Sequence, residues 1–592
     1  MYTSSNVPAD IPLKEIVKKE AKDRQVRMTG SNHPLFALLP GEAREFQEQW
    51  FDSVGDTVSQ FGPCFMELDA AGLLHDGKFL EKVRKSLELM KESGFFGLGV
   101  PEQYGGVCDE GMLPTVSTVT ANMQIARIDP GLMITSAVSG GLGIGSFLFV
   151  LKQAMMEAEG KPDDGTVSFI QGQIDKWGPK IAAGDVIAGF ALTEPNVGSD
   201  AAAIQTKAVK GKLCKVGEKT EFVAERGEKP QDATDDGVDG YQINGVKQFI
   251  TNGPLADMVL VFAKTGPEAE RNKNVGLFIV EKDEPGRPGF TVGTEEKKTG
   301  LLSSTTSQII LDDVFVPAEN LVGGPAWERR GFEIATGILQ SGRLNVAAQA
   351  TGVSRRALEE MARYTNQRIQ FGGKLYERPG VEYELQQMEA IVEAQTALLI
   401  LDAQAKDGGV CSAGMASRAK LFCTDMCQKV TRTGVQLHGG YGFSREYPIE
   451  VLNRAAGVFT IYEGANEING LVSAKELIKG GYPRLGDFKI DEGVLRAKGL
   501  AQSVSELEKV EKLVDETLKR KDELGDAGKI ALSRIAATGD AMRALLIAAS
   551  QREADTGGFE DNTHLFCTRV ALKMVDGFKH DLYPPTERAR IE

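Results

Sequence analysis

The stretch VIAGFALTE, residues 186–194, is a short apolar run that ends in a polar turn. Four more short runs of this kind follow before residue 322, and turn residues rather than helical segments separate them. Such a series favours an antiparallel arrangement over a doubly wound parallel sheet. The sequence therefore predicts an antiparallel β-barrel or sandwich over residues 188–322, with the later strands in GYQINGVKQFIT (240–251), MVLVFAKTG (258–266), VGLFIVEK (275–282) and SQIILDDVFVP (307–317).

Helical patterns lie on both sides of this β block. In FLEKVRKSLELMKESG (79–94) the apolar residues recur at intervals of three and four residues, which predicts a helix, and Gly94 is a suitable residue for its end. The sequence predicts an α+β multidomain protein. The expected parts are an N-terminal arm (1–40), an N-terminal α-helical domain (41–187), the middle β domain (188–322), a C-terminal α-helical bundle (323–480) and a helical extension (481–592).

Two segments carry more local expectations. Residues 211–240 are polar and rich in turn residues, which predicts a surface insertion in the β domain. In the extension, one helical stripe is predicted to pack against another element; it consists of Val504, Leu507, Val510, Val514 and Leu518.

Composition excludes some partners. The 592-residue chain has a formal net charge of −15, which disfavours nucleic acid or an anionic membrane surface as the main partner. Its seven cysteines are odd in number and form no CxxC motif, which is typical of reduced thiols, and no metal site is predicted. Because no secretory signal is seen, we expect a cytoplasmic protein, or a mitochondrial-matrix protein if the source is eukaryotic.

The uncharged segment 131–151 is about long enough to cross a bilayer. Its five glycines and several hydroxyl groups fit a helix buried among other helices better than a helix that faces lipid. We therefore expect no stable membrane insertion. The GGLGIG within it lacks the GxGxxG spacing and a preceding strand, so close helix packing is the better interpretation than a dinucleotide loop.

Five glycine-rich or polar motifs stand in a fixed order: ALTEPNVGSD (191–200), KQFITNG (247–253), RIQFGGK (368–374), QLHGGYGF (436–443) and IYEG (461–464). Taken alone, the first can hold a polar ligand or simply satisfy its own backbone as a turn. The last places Glu463 just before a helical pattern, where it can serve as a base or be favoured by the helix dipole. These residues alone leave both alternatives open.

Together the five motifs resemble those of the acyl-CoA dehydrogenase family, from about residue 90 to the end of the chain. The resemblance implies FAD as the cofactor. In the family, the arginine of the R-x-x-F-G motif reaches the pyrophosphate of FAD from a neighbouring subunit, which implies at least a dimer. Phe249 stands where the family most often has Trp. The matched cofactor positions are Phe190, Leu192, Thr193, Ser199, Phe249, Ile250, Thr251, Arg368, Phe371, Gln436, Gly439 and Gly440.

The resemblance also implies a catalytic role for Glu463. In the family this glutamate removes the proton beside the thioester carbonyl while hydride leaves the next carbon for the flavin. We expect an apolar pocket to raise its pKa towards the working pH. Some members carry the base just before the arginine matched by Arg343, but Gly342 there cannot serve. The substrate-binding positions implied are Ser199, Arg343, Tyr462 and Gly464.

The expected reaction is α,β-dehydrogenation of an acyl-CoA to the trans-2-enoyl-CoA in fatty acid β-oxidation, with electrons passed to an electron-transfer flavoprotein. Two alternatives share the fold: an acyl-CoA oxidase that uses oxygen, and a non-catalytic scaffold. The helices after residue 487 resemble the C-terminal extension of the very-long-chain branch, which implies a homodimer.

Overall fold

The structure of the protein is a computed structural model. It describes residue 54 and residues 78–582, except 109–113, 160–164, 217–218, 227–235, 267, 283–288, 489, 491 and 552–557. The predicted N-terminal arm, residues 1–40, lies outside this range.

The chain divides into two compact units. The first, here called the sheet unit, comprises Thr57–Gln349 and Ile461–Ile468. The second, here called the bundle unit, comprises Val54, Ala350–Thr460 and residues 469–582 among those that the structure describes. The short segment 461–468 returns the chain to the sheet unit between two long segments of the bundle unit.

Helices fill the N-terminal part of the sheet unit. Helix α1 buries the apolar face predicted for it and is followed by Gly94, which has a positive φ of 71°. Asp129 caps helix α3 by accepting hydrogen bonds from the backbone of Gly131 and Leu132. The described helices are α1 Phe79–Glu92, α2 Pro114–Ile128, α3 Pro130–Ser136, a π-helix Ala137–Ile144, α4 Gly145–Ala158 and α5 Thr166–Ala182.

The continuous helical segment Pro130–Ala158 is long and apolar enough to cross a membrane, but 72% of its most apolar window is buried inside the protein. Its apolar side chains pack within the sheet unit, since Met133, Ile144, Phe147 and Val150 are fully buried. This is the buried helix that its glycine and hydroxyl content predicts.

The β domain is one eight-stranded sheet in the order β1-β5-β2-β4-β8-β7, with β3 added to β2 and β6 added to β5. Its apolar core lies between Tyr241, Ile243, Val259 and Phe278 and the side chains around them. The strands are β1 Ala188–Ala191, β2 Lys207–Val216, β3 Lys219–Ala224, β4 Val238–Thr251, β5 Met258–Lys264, β6 Val275–Glu281, β7 Phe290–Glu295 and β8 Thr306–Pro317.

Two details of the β domain differ from the sequence-based prediction. The sheet is mixed rather than wholly antiparallel, because β1 pairs with β5 in parallel and β2 meets β5 in parallel at Lys207 and Lys264. Parallel neighbours require a long connection, and the chain makes three other strands between β1 and β5. The predicted surface insertion at 211–240 in fact contributes the antiparallel β2–β3 pairing and the first part of β4.

The bundle unit is built on long helices. The first of them, α6, begins in the sheet unit and continues into the bundle unit. The helices are α6 Gly331–Gln367, α7 Pro379–Asp407, α8 Ala413–His438, α9 Pro448–Phe459 and α10 Asn466–Gly480, and the two-residue strands β9 Ile369–Gln370 and β10 Gly373–Lys374 connect α6 to α7.

The extension adds five helices to the bundle unit. The longest of them, α13 (Asp526–Gln551), packs against α7 and α8 and is buried along almost its whole length. On α12, Val504, Leu507, Val510 and Val514 are buried as predicted, while Leu518 is partly exposed. The helices are α11 Glu492–Ala497, α12 Ala501–Lys519, α13 Asp526–Gln551, α14 Phe559–Leu565 and α15 Ala571–Lys579, with a π-helix Phe566–Val570 before the last.

Candidate active site

Glu463 lies in the loop between α9 and α10, within the sheet unit. Its backbone has a positive φ of 54°, which is uncommon for a residue other than glycine. The next residue, Gly464, has a φ of 88°. Strained backbone of this kind persists only where its surroundings hold it, and it is frequent at functional sites. The loop therefore presents Glu463 in a fixed orientation.

The carboxylate of Glu463 packs against Gly342 on helix α6. A Cβ atom added to Gly342 would lie 2.5 Å from Oε2 of Glu463, closer than any side chain allows. The space that a side chain at position 342 would fill is thus occupied by the glutamate. The side chain is half-buried in the protein and does not extend into bulk water.

Arg343, the neighbour of Gly342, is close enough to Glu463 for their charges to interact. Burial lowers the pKa of the Arg343 guanidinium, and the negative charge of Glu463 opposes that shift. The sequence-predicted residues Glu463 and Arg343 are therefore brought together, although 119 residues of chain separate them in sequence.

Tyr462 is anchored by a hydrogen-bonded chain. Its hydroxyl group donates to Oε1 of Gln349 on α6, and Nε2 of Gln349 donates to the carbonyl of Pro130 at 2.5 Å. Gln349 is fully buried. Tyr462 therefore holds the loop that carries Glu463 against α6. Gln349 was not predicted as a site residue, because its place in an alanine-rich helix gives no signal of this contact.

The turn after β1 is organised by Glu194. Its carboxylate accepts hydrogen bonds from the backbone of Gln205 and Thr206, from the Thr206 hydroxyl and from the buried ammonium group of Lys247 at 2.9 Å. Lys247 and Glu194 are both buried. The family motif predicts Thr193 and Ser199 as site residues in this turn, but it gives no prediction for Glu194. The signal available was a carboxylate directly after a buried strand.

Phe249 stands out from the sheet at a β-bulge. The register of β4 against β8 shifts between Lys247 and Ile250, and Phe249 has a φ of 58°. Its side chain is 63% exposed. The bulge re-aims the ring out of the sheet, as bulges do beside functional sites. An exposed aromatic face beside the polar groups of Thr193 and Thr251 suits a planar heterocyclic ring.

The other predicted site residues on the sheet differ in how far their side chains are exposed. Phe190 is partly exposed on β1, with its ring edge against Phe262. Leu192 is partly exposed and Ser199 is exposed. The side chain of Ile250 is buried in the core of the sheet. Only the backbone of Ile250 can face a ligand, because the bulge turns its neighbour outward and leaves Ile250 pointing inward.

Four of the remaining predicted residues line a groove in the bundle unit. Arg368, Gln436, Gly439 and Gly440 line a cavity of about 520 Å³ together with Tyr364 and Tyr441. The guanidinium of Arg368 lies 5.6 Å from the centre of the Tyr441 ring. A Cβ atom on Gly439 or Gly440 would meet nothing within 4 Å, so the backbone there is open to a ligand. These donors suit a diphosphate.

Phe371 does not line that groove in the described structure. Its side chain is 92% exposed, and its φ is positive at 52°. The prediction that it binds the cofactor therefore has no support from its contacts within one chain. An exposed aromatic side chain in a short β turn is instead available to another surface.

The fold and these motifs agree with comparisons to known proteins. The chain matches the family descriptions Acyl-CoA dehydrogenase, N-terminal domain over residues 47–150, middle domain over 226–314 and C-terminal domain over 329–478. It is 36% identical over 394 residues to an acyl-CoA dehydrogenase of Bacillus subtilis, with 67% of this chain and 89% of that protein covered. The chain belongs to the acyl-CoA dehydrogenase family and is an oxidoreductase of that class.

Two further relatives bear on function. A subunit of a caffeyl-CoA reductase–Etf complex from Acetobacterium woodii is 31% identical over 404 residues, with 68% of this chain and 91% of that protein covered. The crystal structure of an acyl-CoA dehydrogenase complexed with FAD from Bacillus anthracis is similar with a TM-score of 0.71 and 25% identity, and it covers 94% of this chain and 93% of that one.

Proposed function

We propose that the protein catalyses FAD-dependent α,β-dehydrogenation of an acyl-CoA thioester to the trans-2-enoyl-CoA. The observation that carries this proposal is the placement of Glu463, held in a strained loop with its carboxylate against the bare backbone of Gly342. The half-buried carboxylate occupies the space that a side chain at position 342 would fill, so its position is fixed before a substrate carbon reaches it.

Glu463 removes the proton from the carbon next to the thioester carbonyl. A positioned base contributes on the order of 10² to 10⁴ in rate. Tyr462 and its link to Gln349 fix the loop, so the carboxylate is positioned before the substrate arrives. Gly464 gives close access to the backbone, and Arg343 and Ser199 complete the proposed substrate-binding residues. The enolate that develops needs hydrogen-bond donors at the thioester oxygen.

FAD is the cofactor, and when bound it accepts the hydride that leaves the β carbon. On the sheet unit, the aromatic face of Phe249 and the polar groups around Thr193, Ser199 and Thr251 fit the ring system. Phe190, Leu192 and the backbone of Ile250 complete this proposed surface. The relative from Bacillus anthracis that was solved with FAD supports the assignment.

The groove of the bundle unit would hold the diphosphate part of FAD. Arg368 offers a bidentate donor, while Gln436, Gly439 and Gly440 offer amide groups and open backbone. In a homodimer this groove would serve the cofactor of the neighbouring chain, and the exposed Phe371 beside it would lie at the interface. The extension after residue 480 is proposed to be that of the very-long-chain branch. The similarity over 94% of this chain to the Bacillus anthracis structure supports an extension that another acyl-CoA dehydrogenase also carries.

The electron acceptor is proposed to be an electron-transfer flavoprotein. The relative from Acetobacterium woodii is named as part of an Etf complex, which supports this choice over oxygen. That relative is also named as a reductase, and the same groups can carry the reaction in the opposite direction, since a base that removes the α proton can return it.

The experiment is anaerobic titration of the purified protein with acyl-CoAs. Bleaching of the flavin absorbance supports the dehydrogenase, and rapid return of colour in air would instead show an oxidase. A protein that purifies without flavin, and takes up none, would be a scaffold. Each outcome separates the proposed function from one alternative of the same fold.

Glu463→Gln tests the role of the base. The variant is expected to retain FAD and to bind acyl-CoA, while the rate of flavin reduction falls on the order of 10² to 10⁴. Stopped-flow absorbance measures this rate. Glu467→Gln is the matched control, because Glu467 is an exposed glutamate in the first turn of the adjacent helix. Equal rates in Glu463→Gln and the control would move the base elsewhere.

A further inference from the structure

An amide pair lies beside the proposed base. Nδ2 of Asn122 on α2 donates to Oδ1 of Asn345 on α6 at 3.2 Å. Asn122 is only 2% exposed, whereas Asn345 is partly exposed. Two carboxamides among packed helices cost free energy unless they are hydrogen-bonded. The hydrogen bond between them uses only some of the donors and acceptors of the two amides, so a ligand can bind to the others.

Asn345 lies on the face of α6 that contacts the catalytic loop. Gly342, Asn345 and Gln349 follow one another at intervals of three and four residues, so they share one side of the helix. Gly342 meets the carboxylate of Glu463, and Gln349 meets the hydroxyl group of Tyr462. The Asn345 backbone is thus about 4.5 Å along the helix axis from Gly342, at 1.5 Å per residue.

The opposite wall comes close to Asn345 without covering it. A Cβ atom on Gly141 would lie 3.6 Å from Nδ2 of Asn345. Gly141 belongs to the π-helix Ala137–Ile144, and π-helices occur frequently at functional sites. Ala137, Gly141 and Gly145 are partly exposed, although most of the residues around them are buried. Because Gly141 has no side chain, only its backbone lies against the Nδ2 group of Asn345.

The Nδ2 group of Asn345 has a vacant donor. Among the described residues, no protein atom accepts a hydrogen bond from it; the bond that Asn345 makes is through Oδ1. The amide therefore points a donor into the space between α6 and the π-helix. Because the coenzyme A part of a substrate is large and charged, it would run towards solvent, and the acyl group would then lie on the side of Glu463 that Asn345 and the π-helix border.

We propose that Asn345 is a specificity-determining residue that donates a hydrogen bond to an oxygen atom on the acyl chain of the substrate, beyond the two reacting carbons. The substrate class is therefore an oxygen-bearing acyl-CoA, such as a keto or hydroxy acyl thioester, rather than a plain alkyl one. This inference rests on the proposed function. A plain alkyl chain would leave the amide desolvated and without an acceptor, a loss of about 10-fold to 100-fold in kcat/KM.

The test compares matched substrates on the holoenzyme. Anaerobic flavin reduction is measured with pentanoyl-CoA against 4-oxopentanoyl-CoA and with hexanoyl-CoA against 5-oxohexanoyl-CoA. The unchanged protein is expected to prefer at least one oxo substrate by 10-fold or more in kcat/KM. Asn345→Leu is expected to abolish that preference by lowering kcat/KM for the oxo substrate to that for the plain substrate.

Asn345→Asp is the second variant, since it keeps the shape and the acceptor for Asn122 but replaces the donor by a carboxylate oxygen. It is also expected to lose the preference. Thr336→Val, on an exposed turn of the same helix, is the control and should keep it. The flavin spectrum of each purified variant reports that it is folded.

The outcomes separate this inference from the proposed function. Flavin that no acyl-CoA bleaches would overturn the proposed function, and with it this inference. Flavin that plain and oxo substrates bleach equally well, or a preference that persists unchanged in Asn345→Leu, would overturn the role of Asn345 and leave the dehydrogenase function standing.

Discussion

The absence of a side chain at Gly342 makes room for the carboxylate of Glu463. The glutamate occupies the volume next to α6 that any residue with a Cβ at position 342 would fill. The sequence identifies both positions as places for a base in relatives of this fold. Their contact shows why only one of the two positions can hold a glutamate side chain in this protein: the two side chains would compete for the same space.

Gly342→Ala is predicted to impair the reaction without unfolding the protein. The new Cβ would lie 2.5 Å from Oε2 of Glu463, so the carboxylate must move. A displacement of about 1 Å costs on the order of 10² in rate. Alanine is also the better helix former, so the propensity of α6 should not suffer. Stopped-flow flavin reduction and FAD content are the measurements.

Gly457→Ala provides the control for this change. It also adds a methyl group to a helical glycine, but there the Cβ would meet nothing within 4 Å. Its rate of flavin reduction should match that of the unchanged protein. If Gly342→Ala reduced the flavin as fast as this control, the carboxylate would not be held where the structure places it.

Strand β4 combines structural and functional positions over a few residues. Lys247 points inward to Glu194, and two residues later the bulge points Phe249 outward. Burial raises the pKa of Glu194, but the Lys247 charge and hydrogen bonds from Thr206 and Lys247 outweigh it and hold the pKa below its ordinary value. Burial lowers the pKa of Lys247 to about 8, although Glu194 opposes the shift.

Lys247→Met is predicted to destabilise the sheet unit strongly. It leaves the Glu194 carboxylate buried without its cation, a change that costs about 3–5 kcal/mol. Thermal unfolding followed by circular dichroism measures the loss. Lys212→Met is the matched control, because its ion pair with Asp239 is exposed and is worth about 0–1 kcal/mol. Similar melting temperatures for both variants would mean that the buried pair contributes little.

The helical extension joins the bundle through buried charges from distant parts of the chain. Arg418 of α8 and Arg543 of α13 both bind Asp540, at 2.5 Å and 2.7 Å. Arg543 also reaches Glu511 of α12 at 3.2 Å. This cluster ties the extension to the bundle core, since Arg418 lies in the bundle and the other three lie in the extension.

Asp402 of α7 lies next to this cluster. Burial raises the pKa of Asp402 to about 7, and the charge of Asp540 adds to the shift, while Arg418 and Arg543 oppose it. The unfolded chain ionises Asp402 near its ordinary pKa of about 4. Asp402 therefore costs stability increasingly as the pH rises from about 4 to about 7, and the full cost is present above that range.

Asp402→Asn is accordingly predicted to stabilise the protein more at pH 8 than at pH 5. The difference between the two gains should be about 1–3 kcal/mol, measured as thermal midpoints at both values. Asp561→Asn, at an exposed position on α14, is the control and should change little at either pH. A gain for Asp402→Asn that is equal at the two pH values would contradict the raised pKa.

Local pattern was sufficient to predict much of this protein. Apolar residues that recur every second residue predict a strand, and apolar residues that recur every third or fourth residue predict a helix. In both cases the spacing places the apolar residues on one face, which packs against a core. The order of helices, sheet and helices follows from it, as do the buried segment 131–151 and the stripe on α12. The family motifs led to Glu463, Arg343 and Arg368 because their residue types and order are specific.

Only the tertiary structure determined which residues come into contact. The parallel pairing of β1 with β5, the bulge at Phe249, the Glu194–Lys247 pair and the Asn122–Asn345 pair all join residues that no local pattern relates. Such contacts depend on packing summed over elements far apart in the chain, so the same local sequence can take several partners. Periodicity specifies which face is buried, whereas the free energy of the folded chain selects the neighbour against which it is buried.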